Sequence, residues 1–334
     1  MKVALVEPPA THFSTNLKHL LLDFFALPGI TSYLYDLGFH KFAAKLFPLN
    51  LSYIATPLFN NGIEVAIFDA NIEDSIFQKI KKYSPDIVGV SCRTAPHLMW
   101  VNDLISALKK ELDVKIILGG PHVTLAPYQT LETTCADFVV IGEGDEVILD
   151  LVNFIGGKKK KLPKIGIGYR SGKKIITKEP AIVQNLDSLP IPDRSLFKTN
   201  KYELFLIQTS RGCVRKCKFC YFSAFDCRWR TRSPKKVIEE VDYLINEFGV
   251  REYFFADENF TANLNITREL CYELVKRNVS WWAMGDKTLS YEDLSLMKKA
   301  GCQHFFLGID AAPRLFGTLP KYRNVHDICQ FSKK

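Results

Sequence analysis

The chain lacks any apolar run long enough to cross a membrane. Nowhere in its 334 residues is there a run of the ~18 uninterrupted apolar residues that a membrane-spanning helix needs. The N-terminus reads as a strand, and Pro8 and Pro9 break any apolar region of a signal peptide. We therefore expect no integral membrane segment and a cytoplasmic location.

The chain also lacks the clustered basic surface of a nucleic-acid-binding protein. The net charge is +8, but much of the excess lies in Lys158–Lys161 and a few neighbouring lysines beside Gly156 and Gly157. A lysine run of this kind is typical of a solvated turn. We expect no nucleic-acid partner. The 47% hydrophobic and 24% charged fractions are those of a folded globular protein.

Cysteine, in contrast, is abundant and odd in number. The nine residues should be thiols or metal ligands rather than disulfides if the chain is cytoplasmic. Five of them lie in strand or helix patterns and are predicted to be small buried side chains. These are Cys92, Cys135, Cys271, Cys302 and Cys329.

Residues 1–155 alternate short apolar runs with amphipathic segments. Runs without polar alternation are typical of strands buried on both faces of a parallel sheet. The predicted strands are Val3–Val6, Val65–Phe68, Ile87–Val90, Ile116–Leu118 and Phe138–Ile141, and the predicted helices are Leu51–Asn60, Ser75–Lys82, Leu98–Leu112 and Leu125–Thr133. This alternation predicts an α/β fold with a doubly wound, Rossmann-like sheet. Residues 10–48 are too long for a simple first connection and are expected to form helical cover or a lid.

Residues 156–200 have a different pattern. Ile165–Tyr169 and Lys174–Thr177 flank a polar turn and predict a β-hairpin. A stiff, extended linker centred on Pro190 and Pro192 follows. We therefore place a domain boundary in this region, between a first domain at 1–155 and a second at 201–334.

Strand–helix alternation resumes in residues 201–334. The predicted strands are Leu204–Gln208, Glu252–Phe255, Ser280–Met284 and His304–Ile309, and the predicted helices are Pro234–Phe248, Ile266–Arg277, Tyr291–Ala300 and Val325–Ser332. The pattern is that of a β/α barrel with about four units, fewer than closure requires. We expect an open, partial barrel.

Three cysteines follow the first strand of this second domain within the segment TSRGCVRKCKFCYFS. Cys213, Cys217 and Cys220 have the spacing C-x3-C-x2-C, and three thiolates so close can hold three corners of an iron–sulfur cluster. The fourth iron would keep an open site for a substrate. A structural zinc site with Cys227 as the fourth ligand, and an electron-transfer cluster with four protein ligands, are the alternatives.

The spacing, with Phe219 just before the last cysteine, resembles the signature of radical S-adenosylmethionine enzymes. The resemblance implies that the three cysteines bind a 4Fe-4S cluster and that S-adenosylmethionine chelates its open iron, with Phe219 beside it. Electron transfer would then yield a 5′-deoxyadenosyl radical. The segment EYFFADENFTANLN resembles the family's acidic stretch near the methionyl amine, which implies Asp257, Glu258 and Asn259 as ligands.

The first domain resembles the cobalamin-binding domains that precede many such clusters. The matching segments are PLNLSYIATPLFNNGIEVAIFDA, PDIVGVSC, IILGGPHVT and ADFVVIGEGDEVILDLV. The sequence has no D-x-H-x-x-G motif, whose histidine would bind cobalt, and His122 is interpreted as a structural loop residue. The alternative is a domain that is empty or that binds the substrate. Glycines at strand ends would let the ring or nucleotide tail approach the backbone. The resemblance implies a cobalamin site at Asp69, Ser91, Thr94, Gly119, Gly120, Gly142, Glu143 and Gly144.

Three departures from the family pattern bear on activity. The chain ends soon after the fourth predicted strand, whereas six units are usual, and Gly285, Lys287 and Asp310 replace frequent family residues. The predicted function is a cobalamin-dependent radical enzyme that transfers methyl or rearranges a ring at an unactivated carbon. It would act on a small-molecule or lipid-like substrate with an electron donor such as ferredoxin or flavodoxin. The alternative is a truncated or degenerate protein that binds the cluster without catalysis, or an electron-transfer protein.

Overall fold

The computed structural model of the protein describes residues 1–9, 45–215, 217, 220, 228–285 and 289–307. These residues divide into two units. The first contains Met1–Val183 with Pro190–Glu203, and the second contains Gln184–Leu189 with the described residues from Leu204 onward. No helix within these described ranges is long and apolar enough to cross a membrane.

A seven-stranded sheet forms the centre of the first unit. Its strands are β1 Lys2–Glu7, β2 Glu64–Asp69, β3 Ile87–Ser91, β4 Lys115–Gly119, β5 Phe138–Val140, β6 Ile167–Ser171 and β7 Lys174–Thr177. The order across the sheet is β2-β1-β3-β4-β5-β6-β7. The first five strands are parallel, and β6 and β7 are antiparallel to their neighbours. The predicted doubly wound α/β fold is confirmed.

The helices of this unit flank a sheet whose central strands β1, β3 and β4 are mostly buried, whereas the edge strands β2 and β7 are partly exposed. They are α1 Leu49–Asn60, α2 Ile76–Tyr83, α3 Ala95–Glu111, α4 Pro121–Leu125, α5 Pro127–Thr133 and α6 Ile148–Ile155. Every residue of β3 is buried, as its unbroken apolar pattern predicts. The helix predicted over Leu125–Thr133 is instead two short helices, because Pro127 begins a new one after Ala126. The helix α6 was not among the predicted elements.

The predicted hairpin is present as β6 and β7, and it extends the first sheet beyond β5. The proline-containing segment that follows also packs on the first unit. The ring of Phe47 lies 4.8 Å from that of Phe197 and 5.3 Å from that of Tyr202, centroid to centroid. The domain limits at 155 and 200 stay a prediction.

The second unit contains a four-stranded parallel sheet of order β13-β12-β11-β8. Its strands are β8 Phe205–Ile207, β11 Glu252–Phe255, β12 Ser280–Gly285 and β13 Cys302–Leu307, and its helices are α7 Pro234–Phe248, α8 Leu264–Val275 and α9 Tyr291–Lys299. A separate antiparallel pair consists of β9 Ser210–Arg211 and β10 Arg230–Thr231. The predicted partial barrel is confirmed. The helix predicted at Val325–Ser332 lies outside the described residues.

Local sequence signals explain where the helices of the second unit begin. The Ser233 hydroxyl accepts a hydrogen bond from the amide of Lys236, and Pro234 occupies the first turn of α7. A capping box of Ser290 and Asp293 starts α9. These caps fix the helix starts that close each strand–helix unit.

Candidate cofactor sites

The cysteine segment begins at the carboxyl end of β8, where the chain turns into the short strand β9. Ser210 and Arg211 of β9 pair with Thr231 and Arg230 of β10. Residues 212–229 are the segment of the sequence between these two paired strands and are called the cysteine loop; the ladder holds the chain on either side of it. Gly212 has φ +80°, and a Cβ on it would lie 2.4 Å from the carbonyl oxygen of Arg228. Only glycine allows the two ends to approach so closely.

The three predicted cluster ligands lie on this loop as partly exposed thiols. The amide of Cys220 donates to the carbonyl of Cys217 at 3.0 Å, and the amide of Arg215 donates to the sulfur of Cys213 at 3.4 Å. Within the described ranges, no three His, Cys, Asp or Glu side chains converge closely enough to hold a metal ion. The fold thus brings the cysteines to one loop but not into a ligating arrangement.

The donor set nevertheless fits an iron–sulfur cluster, because three accessible thiols within eight residues of one loop supply soft sulfur ligands. Phe219 and Cys227 lie outside the described residues. The assignment of Cys213, Cys217 and Cys220 as ligands stays a prediction.

Asp257, just after β11, is used within the protein. Its carboxylate is 1% exposed and accepts hydrogen bonds from both the amide and the hydroxyl of Thr209, at 3.2 and 2.8 Å. The hydroxyl of Ser210 donates to it at 2.5 Å, and the amide of Ser210 also donates. Burial raises the pKa of Asp257 to about 6, although these hydrogen bonds act in the opposite direction.

The neighbouring Glu258 has a different environment. Its Oε2 atom is buried and has no hydrogen-bond partner among the described residues. Burial raises the pKa of Glu258 to about 7, while its own amide, the Arg211 guanidinium and the amide of Gly212 lower it and Asp257 raises it further. A buried carboxylate oxygen without a donor is costly in the protein alone. A cationic ligand would remove that cost.

The third predicted residue of this stretch, Asn259, is buried at 4% exposure. Its side-chain oxygen accepts from the amide and the hydroxyl of Thr261 at 3.2 and 3.1 Å. This contact shapes the turn after β11. Of the three polar residues predicted as ligands, Glu258 alone has a buried oxygen without a partner.

In the first unit, polar side chains gather at the carboxyl ends of β1, β2 and β3. Asp69 is 1% exposed and lies opposite Glu7 in the strand register. It accepts from the amide and side chain of Asn71 at 2.8 and 2.7 Å, and from the Tyr202 hydroxyl at 3.0 Å. Burial and the nearby carboxylates raise the pKa of Tyr202, so its proton stays in place.

Glu7 forms a second part of this edge and is 2% exposed. Arg93 forms an ion pair with it, and Asn50 donates to Glu7 at 3.2 Å and to Ser91 at 3.1 Å. Burial raises the pKa of Glu7, whereas Arg93 and Asn50 lower it. Ser91 is thus engaged in this network, and the hydroxyl of Thr94 lies 3.0 Å from Nδ1 of His97.

The glycines of the predicted cobalamin site differ in whether the fold itself requires glycine there. A Cβ on Gly120 would lie 2.7 Å from the carbonyl oxygen of Cys92, and one on Gly142 would lie 2.2 Å from that of Ala181. Both have positive φ, at +107° and +88°. A Cβ on Gly144 would meet Ile54 at 2.9 Å. Gly120 and Gly142 are therefore required by the backbone around them, whereas a Cβ on Gly144 would displace only the end of the Ile54 side chain.

Gly119 is the exception. The nearest atom to a Cβ there would be the Cβ of Val140 at 3.8 Å, an ordinary contact. No strain therefore demands glycine at this strand end, which leaves space for a ligand to approach the backbone. Glu143, in contrast, accepts from the amide of Val183 at 2.7 Å and serves the fold.

Several residues at these sites were missed from the sequence. In the first unit they are Glu7, Asn50, Arg93 and Tyr202. In the second unit, a buried ion pair joins Arg232 and Glu240, which are 6% and 0% exposed at their side chains. The only sequence feature that pointed to Arg232 was its position just before the helix start at Ser233 and Pro234. Nothing in the sequence indicated Tyr202, because its partner Asp69 lies 133 residues away.

Comparison with protein families agrees with the two units. A model described as B12 binding domain matches residues 36–152, and one described as Radical SAM superfamily matches residues 207–331. The chain belongs to the radical SAM superfamily and carries a B12 binding domain. The resemblance seen in the sequence is confirmed.

Curated relatives of this radical SAM chain include methyltransferases and cyclases. It is 32% identical over 292 residues to an uncharacterized methyltransferase of Pyrococcus horikoshii, covering 82% of the chain and 63% of the relative. It is 30% identical to an anaerobic magnesium-protoporphyrin IX monomethyl ester cyclase of Synechocystis, covering 80% of the chain and 57% of the relative. The chain thus spans about three fifths of the length of these relatives.

Solved structures of other radical SAM proteins share the fold. TsrM from Kitasatospora setae, a methyltransferase with cobalamin and a [4Fe-4S] cluster bound, superimposes with a TM-score of 0.72 at 18% identity, covering 99% of this chain and 64% of TsrM. The cobalamin-dependent radical enzyme OxsB gives 0.69 at 18% identity, covering 94% and 44%. At this identity the likeness concerns the fold.

Proposed function

We propose that this chain is the cobalamin- and cluster-binding part of a radical S-adenosylmethionine enzyme that transfers methyl or rearranges a ring at an unactivated carbon. The observation that carries the proposal is Oε2 of Glu258, which is buried without a hydrogen-bond partner among the described residues, at the carboxyl edge of the second sheet and near the start of the cysteine loop. An ammonium is the kind of group that this oxygen lacks.

In this proposal each residue has a defined part. Cys213, Cys217 and Cys220 would hold a 4Fe-4S cluster, and Glu258 would bind the methionyl amine of S-adenosylmethionine. When bound, the cluster supplies the electron for reductive cleavage of that molecule. The protein holds the amine, orients it and excludes water from the buried carboxylate.

Cobalamin is proposed at the carboxyl edge of the first sheet. The open approach at Gly119 supports it, and the satisfied network around Glu7 and Asp69 would supply a rigid edge. The substrate is proposed to be a small molecule, as in a TsrM structure that contains tryptophan. An electron donor such as ferredoxin or flavodoxin would complete the system.

The test is anaerobic reconstitution of the full chain with iron and sulfide, followed by reductant and S-adenosylmethionine. We expect about four irons per chain and release of 5′-deoxyadenosine or S-adenosylhomocysteine. Cys217→Ala should lose iron, whereas Glu258→Gln should retain iron but bind S-adenosylmethionine weakly. A chain that holds zinc, or that forms the cluster without consuming S-adenosylmethionine, would contradict the enzymatic proposal.

A further inference from the structure

The contacts of Asp257 point to a role other than binding a ligand. Both of its oxygens are used: Oδ2 accepts from the amide of Thr209, and Oδ1 accepts from the Thr209 hydroxyl and from the amide and hydroxyl of Ser210. All three residues are at most 4% exposed. A carboxylate with four donors has little capacity left for a cation.

The residues that Asp257 holds stand at the entrance to the cysteine loop. Ser210 opens β9, and Cys213 follows three residues later along the chain. Consecutive Cα atoms are only about 3.8 Å apart, so a shift at Ser210 is passed to the first cysteine within one short segment. Asp257 therefore ties the carboxyl end of β11 to the start of the loop.

The exit of the loop is held against its entrance by Arg232. The amide of Arg232 donates to the carbonyl of Thr209 at 2.8 Å, and its guanidinium donates to the carbonyls of Gln208 and Lys236, both at 3.0 Å. Its ion pair with Glu240 attaches this end to α7. The entrance and the exit are thus both anchored on buried charged groups, whereas the cysteines between them are partly exposed.

Asp257 and Glu258 are consecutive, yet their carboxylates contact different residues of the loop entrance. Asp257 accepts from Thr209 and Ser210, whereas Glu258 lies beside Arg211 and Gly212. The Asp257 carboxylate accepts four hydrogen bonds from the loop entrance, whereas Oε2 of Glu258 is buried and has no donor in the part of the chain that the structure describes. The same strand end therefore sets the position of the loop relative to the carboxylate that is proposed to bind the amine. A rigid shared support of this kind maintains the geometry between two groups that must act on one ligand.

We propose that Asp257 is a positioning residue, which fixes the entrance of the cysteine loop relative to Glu258 and does not bind the amine of S-adenosylmethionine. The inference rests on the proposed function for the identity of the cofactors. The anchoring itself concerns only the chain's own residues.

The experiment compares Asp257→Asn with Glu258→Gln in the full chain. Asparagine keeps the shape but turns one acceptor into a donor that faces the N–H and O–H groups of Thr209 and Ser210. In the protein without iron, we expect exchange of the Thr209 and Ser210 amides, which donate to Asp257, to become about tenfold faster in Asp257→Asn and to stay unchanged in Glu258→Gln.

The reconstituted protein provides a second readout. The electron paramagnetic resonance spectrum of the reduced cluster, recorded without S-adenosylmethionine, should change in Asp257→Asn and not in Glu258→Gln. The affinity for S-adenosylmethionine should fall about tenfold or more in Glu258→Gln, because the amine of S-adenosylmethionine loses a charged partner. Asp257→Glu should restore part of the spectrum, since a carboxylate can again accept the donors.

The inference is overturned if Asp257→Asn leaves exchange and spectrum unchanged but abolishes binding of S-adenosylmethionine. If Asp257→Asn does not fold, Ser210→Ala removes one donor from the other side and should give a smaller change in the same direction. An unmodified chain that never takes up iron would sink the proposed function, while hydrogen exchange in the iron-free protein still decides the anchoring.

Discussion

At the carboxyl edge of the first sheet, Glu7 and Asp69 end neighbouring strands, and both are buried with partners from the protein. At the corresponding edge of the second sheet, Asp257 also has partners from the protein, but one buried oxygen of Glu258 has no donor among the residues that the structure describes. All four carboxylates lie at or just after the carboxyl ends of parallel strands. Position at a strand end therefore does not identify a ligand-binding carboxylate. The state of its hydrogen bonds does.

The glycines at the carboxyl edge of the first sheet differ from one another in a similar way. Gly120 and Gly142 are demanded by neighbouring carbonyl groups, whereas Gly119 has ordinary space around it. A residue type that the fold itself requires is weak evidence for a cofactor. One that the fold does not require is stronger evidence, because another explanation is needed.

The largest effect is expected where a satisfied buried charge loses its partner. Glu240→Ala leaves the Arg232 guanidinium buried beside the loop exit without its carboxylate. We expect the free energy of unfolding to fall by about 3–5 kcal/mol, measured by urea denaturation. The control is Glu239→Ala, which removes an exposed pair with Lys236 and should change the free energy of unfolding far less. Equal losses in the two variants would contradict the assigned burial.

The paired glycines give the next effect. Gly120→Ala adds a methyl group against the carbonyl of Cys92 at a positive φ. We therefore expect the free energy of unfolding, measured by thermal denaturation, to fall by about 2 kcal/mol or more. Gly119→Ala should fold normally but bind cobalamin more weakly, measured by its absorption spectrum. If Gly119→Ala binds cobalamin as the unmodified chain does, the ligand does not approach the backbone there.

Glu258→Gln tests the unsatisfied carboxylate without any cofactor. Because burial raises the pKa of Glu258 to about 7, ionisation near pH 8 opposes folding. Removing the charge should stabilise the iron-free chain by roughly 1–3 kcal/mol near pH 8, and the gain should vanish below about pH 4.5, where the carboxyl is protonated in both states. Urea denaturation at both pH values measures this. Asp69→Asn, which disturbs a satisfied carboxylate, should destabilise instead.

The pH dependence of S-adenosylmethionine binding gives the smallest effect. The proposed ion pair needs ionised Glu258, so lowering the pH through about 7 should weaken binding. With one such group, the apparent affinity should fall about tenfold between roughly pH 8 and pH 6. Equilibrium binding to the reconstituted protein measures it. In Glu258→Gln the affinity should be low and nearly constant over this range; an unchanged tenfold slope there would assign the titration to another group.

The sequence predicted the elements of both sheets well, because local pattern governs them. Unbroken apolar runs such as Ile87–Val90 can only be buried strands here, and Ser233 with Pro234 sets the start of α7 where it was expected. The short ladder of β9 and β10 was not predicted. A strand of two residues carries no periodicity, and each pair of the ladder joins residues 19 or 21 positions apart in the sequence.

By itself, the sequence determined the order of strands and helices, the family, and the cysteine loop at the end of β8, since spacing along the chain is local information. Only the tertiary structure separated Asp257 from Glu258, and Gly119 from Gly120. Those distinctions depend on Thr209, Ser210, Cys92 and Val140, which reach these positions through folding. Whether a buried polar atom has a partner is a property of three-dimensional neighbours, and adjacent residues of nearly equal chemistry can differ in it completely.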